Sequence, residues 1–438
     1  MRILAGLGAT LAFGVACSGL PARPASDNVL IVVFDDLGID KVAAYGVHAD
    51  PPHLPVLDAL ADQGVRFPVA YGFPLCSPTR AALMTGRYAR HTGINHPLAP
   101  EERVELPLAE ETLPELLSTR GYHTGGVGKW HLGTNSSPSR FSHPWRQGFS
   151  FYTGTIGNLA GAAGDYHTWR EVGADRKLHT VSGDNSTHLA DVAIEFLART
   201  PEPWFLYLSF HAPHEPFQPV PATSGHPSLP ASAPTADLYD AMAENADRQL
   251  GRVLDALNPA VRARTTIVAL GDNGTPGEVM RRPLHPERSK MTVYEGGVRI
   301  PLIVAGPAVV APGRASRALV HVVDVLPTLA ERVGATPRPG IDGRSFLKAL
   351  ADPSDPGART TLFSQRIYPN GPGPWTLQVS TIRDAGYKLV RWRGGDESLF
   401  EVGTGISEGP DLLPTPLAPA EEAARIRLSA ALEEELAR

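Results

Sequence analysis

The residue types that could do chemistry gather in a few short clusters. Asp35-Asp36 closes the apolar run Val29–Phe34, and Asp272-Asn273 closes the run Thr266–Leu270. Together they offer three carboxylates and one amide oxygen. Hard oxygen donors of this kind suit Ca²⁺, and after it Mg²⁺, rather than zinc or copper. Arg80, Lys129 and Lys290 are cations at or near similar positions. With a divalent metal they would neutralise a tetrahedral oxyanion such as sulfate or phosphate. His131 and His214 are candidates for proton transfer, with His211 three residues before His214 as the alternative. Cys76 opens Cys76-Ser77-Pro78-Thr79-Arg80, where Ser77 is a natural N-cap and Pro78 suits the first helical position. A thiol beside the positive end of a helix is expected to have a lowered pKa and an anion-binding setting.

The elements that must carry these groups are legible from pattern. Val29–Phe34, Tyr122–Val127, Trp204–Phe210 and Thr266–Leu270 are short apolar, β-branched runs that read as buried, parallel strands. Each delivers a polar cluster at its carboxyl end: Asp35-Asp36, Gly128-Lys129-Trp130-His131, His211-Ala212-Pro213-His214 and Gly271-Asp272-Asn273-Gly274. Helical spacing appears at Val56–Gln63, Leu113–Arg120, Ser186–Arg199 and Ala236–Leu257. Strands alternating with helices imply an α/β fold, a large and mostly parallel sheet with helices on both faces. In such folds ligands bind beyond the carboxyl ends of the strands, which is where all four clusters fall. Further on, His321–Arg332 and Gly340–Leu350 are expected to contribute helices. From residue 356 the pattern changes to antiparallel strands at Thr361–Ile367, Trp375–Arg383, Tyr387–Arg393 and Ser398–Val402, and then a terminal helix over Glu421–Leu436. The organisation read from this is a catalytic domain over 28–355 and a small C-terminal subdomain over 356–438.

The segment Cys76-Ser77-Pro78-Thr79-Arg80-Ala81-Ala82-Leu83-Met84-Thr85-Gly86-Arg87 resembles the signature of type I sulfatases, in the alkaline phosphatase-like superfamily. Gly128-Lys129-Trp130-His131-Leu132-Gly133 is similar to the second signature of that family. Pro213-His214-Glu215-Pro216 and Tyr294-Glu295-Gly296-Gly297-Val298-Arg299 extend the likeness, and the layout from Cys76 to Gly133 is most like the arylsulfatase B-like enzymes. The resemblance implies that a formylglycine-generating enzyme oxidises Cys76 to Cα-formylglycine, whose hydrate attacks sulfur. It also implies that Asp35, Asp36, Asp272 and Asn273 hold Ca²⁺ together with the modified Cys76. Lys129 and Lys290 would hold sulfate oxygens, Arg80 the formylglycine hydroxyl, His214 would protonate the leaving alcohol, and His131 would assist release. The expected substrate is an aryl or sugar sulfate, a sulfated small molecule or glycan. Hydrolysis of a phosphate ester on the same fold is the competing expectation, because the two oxyanions are alike.

Composition narrows the rest. With 40 Lys+Arg against 46 Asp+Glu, the chain has a net charge of −6 and is no phosphate-backbone binder. Only two cysteines, Cys17 and Cys76, are present, which excludes a disulfide scaffold or a cysteine-rich zinc site. Arg2 followed by the uncharged stretch Ile3–Ala16 reads as an export leader over residues 1–25. Cys17 directly after it resembles the bacterial lipoprotein box. The expectation is an exported, periplasmic or outer-membrane-anchored bacterial lipoprotein that touches the membrane only through an N-terminal lipid anchor.

Overall fold

The computed structural model describes residues 27–222, 227–281, 284–403 and 405–438; the leader and Cys17 lie outside them. In chain order the strands are β1 (Asn28–Phe34), β2 (Gly64–Arg66), β3 (Ala70–Tyr71), β4 (His123–Lys129), β5 (Phe151–Thr155), β6 (Thr168–Val172), β7 (Leu178–Ser182), β8 (Trp204–Phe210), β9 (Thr265–Gly271), β10 (Leu302–Ala305), β11 (Arg314–Ala315) and β12 (Val320–His321). Four more follow: β13 (Leu362–Tyr368), β14 (Leu377–Arg383), β15 (Tyr387–Trp392) and β16 (Glu397–Glu401).

A ten-stranded sheet runs β11-β2-β10-β9-β1-β8-β4-β5-β6-β7. Its centre, β9-β1-β8-β4-β5, is parallel throughout. The four strands expected to carry chemistry are therefore consecutive neighbours, and their carboxyl ends lie side by side. β1 is buried along its whole length because both faces are covered. Alternate residues feed two separate cores. Leu30, Val32, Leu206, Leu208 and Ala269 pack against helices Pro55–Gln63, Asn185–Arg199 and Thr235–Asp255. Val29, Ile31, Val33, Phe205 and Val268 pack with helices Cys76–Thr85, Leu113–Ser118 and Val325–Val333.

Some expectations shift. The Cys76 helix begins at Cys76 itself, with Leu75 as its cap residue, so neither Ser77 nor Pro78 has the expected position. The Ser77 hydroxyl instead accepts a hydrogen bond from the Leu98 N–H at 3.3 Å. Val320–His321 pairs with Ala70–Tyr71 as a two-stranded sheet, so the following α-helix starts only at Val325. Of Gly340–Leu350, only the end enters a helix, Leu347–Ala351. The hairpin of β6 and β7 had no sequence expectation.

The C-terminal strands form an antiparallel sheet in the order β13-β14-β15-β16. Phe363, Ile382, Leu389 and Leu399, with Leu428 and Leu432 of the terminal helix Pro419–Ala437, join the same apolar core as β1. A buried ionic network also ties this sheet to the segment that follows Lys290. Glu295 accepts from Lys388 Nζ at 3.0 Å and from Arg383 Nη1 at 2.9 Å, and Lys388 also reaches Glu408 at 2.8 Å. Burial opposes ionisation of Glu295, but Lys388, Arg383 and Arg299 outweigh it and hold the carboxyl well below the usual range. Glu295→Gln leaves buried cations short of charge and is expected to cost about 3–5 kcal/mol, read by urea unfolding. A depressed carboxylate pKa contributes stability above the unfolded value of about 4 and loses it as pH falls further. The wild-type advantage should therefore shrink in acid. An equal midpoint for both proteins at pH 7 would refute this account.

Candidate active site

The polar clusters expected from the sequence do converge. Asp35 and Asp36 follow β1, Lys129 ends β4, His211 and His214 follow β8, and Asp272 and Asn273 follow β9. Cys76 reaches the same place from the amino end of its helix, with Sγ 3.9 Å from Asp36 Oδ1. Lys290 arrives from a loop and donates to Asp36 Oδ2 at 2.6 Å. Lys129 Nζ pairs with Asp35. Arg80 donates to Asp272 Oδ2 from Nε at 3.0 Å and to Ser209 Oγ from Nη1 at 2.5 Å. All these groups are buried or nearly so.

Backbone geometry makes the crowding possible. Gly128 has φ +101°, and a Cβ there would sit 1.9 Å from the Ser209 carbonyl oxygen, so only glycine lets β4 approach β8 just before Lys129. Asp36 and His131 take left-handed conformations, with φ of 70° and 56°. Such non-glycine residues are uncommon and persist where surrounding bonds enforce them. The Asp36 N–H donates to Asp272 Oδ1 at 3.0 Å, and its carbonyl accepts from Tyr239 at 2.8 Å.

The two histidines near β8 differ in what their rings can do. His211 is held at both nitrogens, by Thr155 Oγ1 at 2.6 Å and Asn185 Oδ1 at 3.0 Å. His214 donates from Nδ1 to the Glu215 carbonyl at 2.7 Å, which leaves Nε2 facing the cluster, 3.8 Å from Asp36 Oδ2. Tyr166 donates to the carbonyls of both, at 2.8 and 2.7 Å. His131 contacts the Leu98 carbonyl through Nε2 at 3.3 Å, and its Nδ1 is buried without a partner. Tyr207, Ser209, Thr155, Asn185, Tyr166 and Tyr239 had not been singled out from the sequence. Strand alternation could have flagged Tyr207 and Ser209, which share one face of β8 and both bind Arg80.

The electrostatics follow from burial and charge. Burial opposes a charged Asp35, but Lys129, His214, Arg80 and Lys290 outweigh it and hold its pKa well below the usual range. Burial and the neighbouring Asp35 charge push Asp272 up to about 7. Burial depresses His131 and His211 strongly and His214 less, because Asp36 and Asp35 favour its charged form. The expectation of an acidified thiol fails. Burial and the Asp35 carboxylate raise Cys76 well above the ordinary thiol value, and this outweighs the helix end.

The donor set fits a hard divalent cation. Donor atoms of Asp35, Asp36, Cys76 and His214 lie within 4.8 Å of one another; Asp272, expected in the set, stands outside this group with its carboxylate engaged by the Asp36 N–H and Arg80. Asn273 Oδ1 is buried with no hydrogen-bond partner, and Asp35 Oδ1 has no hydrogen bond but only the Arg80 guanidinium 3.6 Å away, so both oxygens keep capacity for a cation. Arg80, Lys129 and Lys290 balance Asp35, Asp36 and Asp272. An added divalent cation would make the cluster net positive and favour an anionic ligand.

Comparison with known proteins agrees with this geometry. The Sulfatase family model matches residues 27–335, and a model described as N-sulphoglucosamine sulphohydrolase, C-terminal, matches residues 286–402. Human N-acetylgalactosamine-6-sulfatase is 31% identical over 371 residues, covering 77% of this chain and 67% of that protein. Human arylsulfatase A is 31% identical over 395 residues, covering 82% and 74%. Among solved structures, that of Ps i-CgsB superposes with a TM-score of 0.77 at 26% identity, covering 93% and 92% of the two chains. A family match that takes in the central sheet and every cluster at its carboxyl edge, with these human relatives beside it, makes the chain a member of the type I sulfatase family, a sulfatase that hydrolyses sulfate esters.

Proposed function

We propose that this sulfatase cleaves the sulfate ester of a sulfated sugar, using Cα-formylglycine formed from Cys76 and a divalent cation, Ca²⁺. The observation that carries the reading is the burial of Cys76 among three carboxylates and three cations at one sheet edge. A sugar substrate is supported by the human relative, whose name specifies a sulfated galactosamine. When present, hydrated formylglycine supplies one hydroxyl to attack sulfur and a second to expel sulfate. A cation there would be held by Asp35, Asp36, Asp272 and Asn273 and would supply Lewis-acid polarisation of a sulfate oxygen.

The chain's own groups do the rest. Lys129 and Lys290 carry positive charge to the position a sulfate would take and stabilise charge on its oxygens. Arg80, clamped by Asp272, Ser209 and Tyr207, orients the residue-76 side chain one helical turn away. In its imidazolium form, which Asp36 and Asp35 favour, His214 gives the proton on Nε2 to the departing oxygen and keeps the one on Nδ1, whose bond to the Glu215 carbonyl sets the ring orientation. His131 accepts a proton at Nδ1 during release. The leader is read as directing this chemistry outside the cytoplasm.

The division of labour is testable. An aryl leaving group of low pKa departs as an anion, whereas a sugar alcohol needs a proton. His214→Ala should lower kcat/KM for sugar sulfates about 10²–10⁴-fold and activated aryl sulfates only slightly. Lys129→Ala and Lys290→Ala should lower both classes alike, by about 3–4 kcal/mol each. A uniform loss for His214→Ala with a graded loss for His211→Ala would reassign the acid. Faster turnover of matched aryl phosphates than of aryl sulfates would overturn the sulfate ester reading.

A further inference from the structure

A cavity of about 230 Å³ lies beyond the end of β5, next to the catalytic cluster. It shares walls with that cluster. Thr155 lines it, and the Thr155 hydroxyl bonds His211; Leu98 lines it, and the Leu98 carbonyl meets His131. Most of the remaining wall is apolar, from Phe141, Ile156, Val172 and Leu178. Alternation along β6 explains the polar exception. Trp169 and Glu171 bond each other, and Glu171 also meets His188, on one face. Arg170 and Val172 take the other face and line the cavity. Arg170 is exposed to solvent where it lines the cavity, and among the described residues its guanidinium has no ion pair or hydrogen bond. Asn158 Oδ1, in the same wall, is buried and has no hydrogen-bond partner.

We propose that this cavity is a subsite for a sugar ring bearing a second anionic substituent, which Arg170 reads. The inference rests on the sulfatase reading above and deepens it from sulfate esters to polyanionic sugars. The volume suits about one monosaccharide. The aliphatic and aromatic wall receives the C–H faces of the ring, Asn158 Oδ1 accepts a hydroxyl proton, and Arg170 offers a planar fork to sulfate or carboxylate. An uncharged aryl group would fill the apolar wall but leave Asn158 Oδ1 without a donor and Arg170 facing solvent alone.

Binding is measured by calorimetry in the Cys76→Ala background, so that turnover does not intervene. The probes are methyl galactoside 6-sulfate, its 2,6-disulfate, and the 6-sulfate linked to glucuronate. Wild-type Arg170 should bind at least one dianionic probe about tenfold tighter than the monosulfate, and which one it prefers separates a second sulfate from a carboxylate. Arg170→Ala should erase that preference and Arg170→Lys restore part of it. With Cys76 intact, Arg170→Ala should leave hydrolysis of 4-methylumbelliferyl sulfate within about twofold, because that substrate has no second charge for the arginine to bind. Equal affinity for all three probes, or a preference that survives Arg170→Ala, overturns the subsite. Failure of the wild-type enzyme to hydrolyse any sulfate ester would instead overturn the sulfatase mechanism, and the binding result would still stand on its own.

Discussion

Cys76→Ala should abolish sulfate ester hydrolysis, a loss on the order of 10⁶-fold if residue 76 supplies the nucleophile. The fold should survive. The change removes one buried sulfur at the first position of a helix whose other anchors remain. These include the Thr79 hydroxyl, which accepts from the Phe73 N–H at 2.9 Å, and the Arg80 clamp. A small cavity of this kind costs about 1 kcal/mol. The raised thiol pKa sharpens the point, because an unmodified Cys76 is protonated at neutral pH and a poor nucleophile. Activity should therefore track the modified fraction. Mass spectrometry of the tryptic peptide Phe67–Arg80 reports that fraction directly. Active enzyme carrying only unmodified cysteine in that peptide would refute the assignment.

Chelation should be nearly as damaging, lowering kcat/KM by at least about 10³-fold and reducing thermal stability, with Ca²⁺ restoring both. Two effects add. Polarisation of the sulfate is lost, and the attraction of Asp35 and Asp36 for Lys129 and Lys290 is left unopposed, so the amines are held by carboxylates rather than by substrate. The stability effect follows from mass action, because an ion at a hundred times its dissociation constant adds about 2.7 kcal/mol to the native state. It should be visible because the proposed ligands sit on separate strands, β1 and β9, paired in parallel along Asn28–Phe34. Asp272→Asn should weaken Ca²⁺ affinity and also loosen Arg80. Unchanged rate and melting temperature after exhaustive chelation, with no metal found by elemental analysis, would rule the site out.

Much of the site was legible because its information is local. A buried parallel strand must be apolar along its length, so the first polar residues after it mark its carboxyl end. Asp35, Lys129, His214 and Asp272 were found in this way. The signature around Cys76 is likewise contiguous, although the register of its helix was misread by two residues. A favourable cap and a proline suggested a start after Ser77, but the Ser77 hydroxyl serves Leu98 instead, a contact across 21 residues. The thiol was misjudged for a similar reason. A helix end is a local feature, while the burial and the Asp35 charge that override it come from packing against distant elements.

The sequence by itself determined the four strands that carry the site, the four strands of the C-terminal sheet, most of the helices and the residue types at their ends, and hence an α/β sulfatase with an oxygen-rich site; the remaining strands of the large sheet had no expectation. Those properties depend on periodicity and on short-range chemistry, which neighbouring residues encode directly. Only the tertiary structure decided that β9, β1, β8 and β4 are adjacent, that His211 is held at both nitrogens while His214 keeps one free, and that Arg170 faces a cavity beside the site. These depend on strand order and on packing between residues tens to hundreds of positions apart. No local pattern records such pairings, because many strand orders would bury the same apolar runs equally well.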